Sequence, residues 1–175
     1  MKNSNEQHSG VQERRRLVAV FDNIRSLYNV GSMFRTADAF SVKHIYLCGI
    51  TGTPEHEPQQ SRIAKSALGA EGTIPWTYTK QTVDAVRQLK SDGVTVIALE
   101  QTSNSIPIQQ FTVHNSQYSN DCLALVIGHE LFGVSESALA LADYIVHIPM
   151  MGKKESLNVA VAFGIATAWI RINIC

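Results

Sequence analysis

The chain has 175 residues, 45% of them apolar, and its 15 Lys and Arg are balanced by 15 Asp and Glu. This length and apolar content fit one domain with its own core, and zero net charge argues against a protein that coats nucleic acid by bulk charge. The cysteines, Cys48, Cys122 and Cys175, are odd in number and lack ligand spacing, which excludes a disulfide framework and points to a reducing compartment. Met1–Gln12 is polar and has no secretory h-region. The longest apolar stretch, Leu157–Ile170, is too short to cross a bilayer and is expected to be a buried helix. A cytoplasmic protein follows, with residues 1–13 as a flexible tail and 14–175 as one domain.

In chain order, Leu17–Phe21 is a short apolar run and predicts a strand, with Asp22–Asn29 a polar loop. Val30–Phe40 predicts a helix, because Met33, Phe34, Ala37 and Phe40 recur at helical spacing. His44–Leu47 is a strand, Gly49–Gln59 a loop, Ser61–Leu68 a short helix and Ile74–Tyr78 a strand. Thr82–Lys90 predicts a helix with Val83, Val86 and Leu89 inward, and Asp92-Gly93 turns into a strand over Val94–Leu99. Glu100–Asp121 is polar, irregular and long, as functional loops often are. Cys122–Ile127 is a buried strand, Ser135–Leu141 a short helix, Tyr144–Ile148 a strand and Leu157–Ile172 the last helix. Strands that are apolar runs, alternating with helices, mean an α/β fold with a mostly parallel sheet flanked by helices. Ligands in such folds bind beyond the carboxyl ends of strands. The loops after Phe21, Leu99, Ile127 and Ile148 all lie there.

Charge is segregated along the chain. No Lys or Arg occurs between Ser91 and Gly152, whereas Asp92, Glu100, Asp121, Glu130, Glu136 and Asp143 do. Cations gather at Arg14, Arg15 and Arg16, at Arg25 and Arg35, at Lys43, Arg62 and Lys65, and at Lys153 and Lys154. Such a pattern can build a positive face on a neutral protein. For Arg14–Arg16 a solvated run before a strand explains the residues as well as phosphate contact does.

Several chemistries are unsupported. No G-x-G-x-x-G follows the first strand and no Walker lysine motif occurs, which removes nicotinamide and ATP sites. The six histidines (His8, His44, His56, His114, His129, His147) show no paired ligand spacing, so no metal is expected. No G-x-S-x-G elbow is present. His44 and His147 fall in strands and are expected to be structural.

Three segments carry the functional argument. In Asn23–Ala37, Asn29 lies at a helix start, where it can be an N-cap. Arg35 falls on the same helix beside apolar neighbours, either facing a ligand or covering apolar area with its stem. In Gly128–Ser135, Gly128 permits close backbone approach, and Ser135 can cap the next helix. Glu130 needs a partner just past a buried strand, with Arg25 or Arg35 as candidates for a salt bridge. In Ile148–Asn158, Ser156 can cap the last helix, and Asn158 lies in its first turn, where free backbone N–H groups are.

Taken together, these segments resemble the three motifs of SpoU-type (TrmH-like) RNA methyltransferases of the SPOUT superfamily. The first motif matches Asn29 through Arg35-Thr36-Ala37. The second matches Ile127-Gly128-His129-Glu130 through Gly133-Val134-Ser135, and the third Ile148-Pro149-Met150, Gly152 and Ser156-Leu157-Asn158. Ala98-Leu99-Glu100 resembles the family's strand end beside the cofactor. His129 departs from the pattern, since the family often has Asn there. The resemblance covers nearly everything from Leu17 to Ile172.

What the resemblance implies is a SPOUT fold with a C-terminal trefoil knot, a homodimer with its site near the interface, and S-adenosyl-L-methionine as cofactor. It implies methyl transfer to a ribose 2′-hydroxyl in RNA; with only a short basic N-terminus and its own surface to bind RNA, tRNA is expected as substrate, and the alternatives are a ribosomal RNA ribose methyltransferase or a SPOUT-fold RNA-binding protein without catalysis. Arg35 is the expected centre of the chemistry. A guanidinium stays protonated, so holding a phosphate and stabilising alkoxide character is physically easier for it than acting as a base. Asn29, Glu130, Ser156 and Asn158 are expected to orient it and the ribose. Leu99, Glu100, Gly128, Ile148, Met150, Ser156 and Leu157 are expected around the cofactor. Arg14, Arg15, Arg16, Arg25, Arg35, Lys153 and Lys154 are expected to meet RNA.

Overall fold

The computed structural model describes residues 15–112 and 122–175. The expected N-terminal tail, Arg14 and the end of the long polar segment lie outside the described residues. Seven strands form one sheet: β1 (Arg16–Asp22), β2 (Ile45–Cys48), β3 (Trp76–Thr79), β4 (Thr95–Leu99), β5 (Ile106–Pro107), β6 (Cys122–Ile127) and β7 (Tyr144–His147). Their order is β3-β2-β1-β6-β4-β7-β5, and every pairing is parallel. Among the described residues, four helices lie between them, α1 (Leu27–Ala39), α2 (Gln59–Ala67), α3 (Thr82–Ser91) and α4 (Glu136–Leu139), and α5 (Val159–Asn173) follows the last strand. The expected mostly parallel, helix-flanked sheet is thus what the chain builds.

The apolar runs have a simple cause. Successive strand side chains point to opposite faces, and both faces are covered. Leu17, Ala19, Phe21, Leu123, Leu125 and Ile127 pack beneath Met33, Phe34, Ile63, Phe163 and Ile170 of α1, α2 and α5. Val18, Val20, Val96, Ala98, Ala124 and Val126 pack against Ala85, Val86 and Leu89 of α3 and Ala138 of α4. Central β6, between β1 and β4, is buried at all six positions. Cys48 and Cys122 are buried strand residues, as expected, and burial beside Asp22 pushes the Cys48 thiol up to about 12. His44 immediately precedes β2, where its ring bonds Thr77 Oγ1 at 3.0 Å.

Element boundaries depart from the sequence reading where caps decide them. Helix α1 begins at Leu27 rather than Val30, because Ser26 Oγ accepts the Asn29 N–H at 3.3 Å. Ser26, not Asn29, is the cap. Helix α5 begins at Val159, because Asn158 Oδ1 accepts from Ala160 N at 2.9 Å and Val161 N at 3.4 Å. Asn158, not Ser156, is the cap there. Ser135 occupies the cap position of α4, but its Oγ is buried without a partner, and its N–H instead donates to the buried Asp22 carboxylate at 2.7 Å. Strand β5, followed by a 3₁₀ turn over Ile108–Gln110, lies inside the segment expected to be irregular, and Ile108 and Phe111 there are buried. Two paired residues are too few to show a period.

Gly31 sets the approach of α1 to α2. A Cβ there would overlap the Ile63 carbonyl oxygen and Ser66 Oγ, so only glycine admits this packing. Gly31→Ala is expected to lower the unfolding free energy by about 1–3 kcal/mol, the usual effect of overpacking. Urea titration checks it; an unshifted midpoint would show that the two helices separate freely.

Candidate active site

The carboxyl ends of β6, β4 and β7 lie side by side, and there Leu99, Ile127 and His147 open into a cleft with about 870 Å³ of free space, its open mouth included. All seven residues expected around a cofactor line it: Leu99, Glu100, Gly128, Ile148, Met150, Ser156 and Leu157. The sequence reading did not assign to the site His129, Leu131, Gly133 and Glu155, which lie within the motif segments, Gln101 and His147, which border them, or Val159 and Ala162, one helical turn apart on α5. That i, i+3 spacing is a visible signal, but an ordinary core face looks the same. His147, expected to be structural, accordingly does two things: it bonds Ser105 Oγ through Nδ1 at 2.9 Å and borders the cleft.

The loop after β6 is a closed frame. His129 and Gly133 exchange two backbone hydrogen bonds of 2.9 Å. Gly133 sits at φ +70°, where glycine is favoured. Gly128 is required by the loop's own return, since a Cβ would overlap the backbone of Gly133 and Val134. The close approach shown is to the loop's own backbone, and Gly128 lines the cleft as well. Glu100 grips the loop from β4, accepting the Val134 N–H at 2.8 Å and the Gln101 N–H at 2.9 Å.

Glu130 ties the same loop to α1. It makes no salt bridge with Arg25 or Arg35, contrary to the sequence expectation. Its carboxylate instead accepts the backbone N–H of Arg25 at 3.0 Å, that of Ser26 at 2.9 Å and Asn29 Nδ2 at 3.0 Å. These donors stand at the entry to α1, where unpaired N–H groups and the helix dipole favour an anion. Asn29 Oδ1 in turn accepts from Asn158 Nδ2 at 3.2 Å. One chain of bonds therefore joins the loop after β6, the start of α1 and the cap of α5, uniting three of the five residues expected to be catalytic. Ser156 is exposed at the cleft wall.

Arg35 stands apart. It is exposed and does not line the cleft. Six residues past Asn29, it lies about 240° around the helix, on the same side as the exposed Tyr28 and Ala39. At that angle Arg35 points away from the cleft of its own chain. Arg25, Lys153 and Lys154 are also exposed. Arg25 flanks Glu130, and the lysines lie in the segment between β7 and α5. Arg15 and Arg16 sit at the amino end of β1, opposite the cleft, where the Arg15 carbonyl accepts from Arg171 at 2.7 Å. Among the described residues, no group of side chains is arranged to hold a metal, and no helix is long and apolar enough to cross a membrane.

Burial pushes the Glu130 carboxyl up, but the N–H groups of Arg25 and Ser26, its own N–H and the Asn29 amide outweigh it and hold the group below its ordinary 4.5. A folded-state pKa lowered in this way contributes stability that is present above the unfolded value and lost as pH falls through the folded one. Glu130→Gln is expected to lower stability at pH 7 by about 1 kcal/mol after allowance for solvent screening. The gap from the unaltered protein should close as pH falls below 4.5. Urea unfolding at pH 7 and pH 3 measures this; a constant gap would contradict an ionised Glu130 as the anchor.

Known proteins resemble this chain in sequence and fold. The chain is 30% identical over 149 residues to tRNA (guanosine(18)-2′-O)-methyltransferase of Escherichia coli K12, covering 83% of this chain and 58% of that one. It is 30% identical over 156 residues to 23S rRNA (guanosine(2553)-2′-O)-methyltransferase RlmP of Bacillus subtilis, covering 89% and 58%. An AdoMet-bound rRNA methyltransferase from Sinorhizobium meliloti superposes with a TM-score of 0.78 at 26% identity, over 91% of this chain and 57% of that one. The chain thus spans 58% of the length of the two curated relatives. The sequence pattern of the SpoU rRNA Methylase family matches residues 16–168, and the chain belongs to that family.

Proposed function

We propose that this protein transfers a methyl group from S-adenosylmethionine to a ribose 2′-hydroxyl of RNA. The observation that carries this is the cleft itself. Its walls at Leu99, Ile148, Met150 and Leu157 are apolar, suiting an adenine. Three carboxylates, Glu100, Glu130 and Glu155, line it, and no Lys or Arg does. A negative, partly apolar pocket favours a cationic ligand. The bound cofactor supplies an electrophilic methyl group on a sulfonium. The chain's part is to align the hydroxyl behind that group and to stabilise alkoxide character on its oxygen.

The second task falls to Arg35, delivered by a second copy of the chain. Its outward direction on α1 supports this, as does a stripe of exposed apolar residues on α5. Val161, Ile165 and Ile172 are 51%, 42% and 75% exposed and repeat at helical spacing, the mark of an unpartnered face. A homodimer through α5 buries that stripe and carries each Arg35 toward the partner's cleft. Glu130, Asn29 and Asn158 then position the start of α1 and the ribose. Ser156 faces the reacting groups from the cleft wall. Arg25, Lys153 and Lys154 lie toward the phosphates, with Arg14, Arg15 and Arg16 reaching a more distant part of the RNA. The to-and-fro path of the chain across β4, out to β5, back to β6 and out to β7, supports the knotted C-terminal region. Buried thiols support a cytoplasmic setting. The similarity to the tRNA (guanosine(18)-2′-O)-methyltransferase favours tRNA, with ribosomal RNA, named for the RlmP relative, as the second candidate.

The test is methyl transfer from labelled S-adenosylmethionine to RNA isolated from cells lacking the gene, with the product mapped by mass spectrometry. The expected product is a single 2′-O-methylated nucleotide; none, or a base-methylated one, sinks the reading. Arg35→Ala is expected to raise the barrier by about 3–4 kcal/mol and to leave cofactor affinity unchanged in calorimetry. Mixing Arg35→Ala with a blocked-cleft variant, Ala162→Trp, should restore part of the activity, because one site of each mixed dimer is complete. Failure to restore any would place Arg35 in its own subunit's site.

A further inference from the structure

The frame after β6 uses its backbone and Glu130, but leaves two large side chains facing solvent. Phe132 is 84% exposed and Leu131 72%. Exposed apolar groups of this size are unfavourable, and a flexible loop would fold them inward. This loop cannot, because the His129–Gly133 bonds close it, Glu100 holds Val134 and Glu130 is tied to α1. Phe132 lies between two residues that line the cleft, Leu131 and Gly133. Its ring also meets that of His129 at a centroid distance of 4.8 Å and an interplanar angle of 32°. His129 Nδ1 accepts the Leu131 N–H at 3.0 Å, which fixes that ring and leaves Nε2 to carry the proton of the neutral form. The result is a rigid aromatic ledge at the rim of the site.

We propose that this ledge stacks an unpaired RNA base, that of the nucleotide whose ribose enters the cleft or of its immediate neighbour. The inference rests on the ribose-methylation reading. RNA bases taken out of the stack are held on aromatic side chains, which are sequence-tolerant because every base has a π-face. The loop itself contains no Lys or Arg, so it has no phosphate grip to offer. Position, planarity and rigidity together suit a base. The histidine in the position where the family often has Asn supplies the second ring. Phe132 and His129 are therefore substrate-binding residues, separate from the groups that orient the methyl transfer.

Phe132→Ala is expected to raise the KM for RNA, in the transfer assay above, by about 5- to 150-fold, the range that base–aromatic stacking gives. Phe132→Trp should restore it and Phe132→Leu should not, because leucine keeps the apolar surface without a π-face. Cofactor affinity by calorimetry and dimer mass by sedimentation should stay unchanged in all three. Full activity of Phe132→Leu, or loss of the dimer in Phe132→Ala, would overturn the ledge and assign the side chain to plain apolar contact, a second copy included. An unaltered KM in Phe132→Ala overturns it as well. Absence of methyl transfer by the unaltered protein would overturn the ribose-methylation reading itself, and this inference with it.

Discussion

The carboxylate of Glu130 is the tie on which the site's construction depends. It reaches from the loop after β6 to the N–H groups of Arg25 and Ser26 and to the Asn29 amide. A carboxylate at a helix entry satisfies donors that the helix cannot satisfy itself, and the helix dipole adds to the attraction. Through Asn29 the tie extends to Asn158, which caps α5. Segments more than a hundred residues apart in sequence are thus joined by hydrogen bonds of ordinary length. Neither α1 nor α5 can move against the loop without leaving a charged or amide group unpaired, which is costly.

A second carboxylate works on the same loop from the other side. Glu100, at the end of β4, holds Val134 while Glu130 holds α1. Two acids therefore perform structural work, yet both also face the cleft and set its sign. The cations lie elsewhere, on the outer side of α1 and in the segment before α5. This separation gives the proposed chemistry its geometry. A cationic ligand settles among carboxylates, whereas the cation needed for a developing alkoxide must come from outside the pocket. In the proposed homodimer, a second copy docked on the apolar stripe of α5 brings it without placing an arginine beside a sulfonium in the same wall.

Much of the fold was legible because burial on both faces leaves an unmistakable pattern. Cys122–Ile127 reads as six buried residues and is six buried residues. Strand β5 was not legible, since a two-residue strand has no period and owes its existence to β7. The start of α3 at Thr82 was read correctly, but the other four helix starts were misplaced by one to three residues; for α1, Ser26 and Asn29 are equally good caps on paper and only the backbone conformation selects Ser26. The seven motif residues expected around a cofactor all line the cleft. His147 and Glu155 escaped, having nothing in their own surroundings to distinguish a strand end or a loop acid from hundreds of others.

The amino-acid sequence by itself determined the layered α/β architecture, the three segments that gather at one end of the sheet, and the family they belong to, because periodicity and ordered motifs are local properties. Only the tertiary structure decided who partners whom. Glu130 bonds backbone N–H groups rather than an arginine, Gly128 is required by its own loop's return, and Arg35 points away from the cleft of its own chain. Each of these depends on where distant segments lie and on the angle a helix has turned through, and neither is written in the neighbourhood of any single residue.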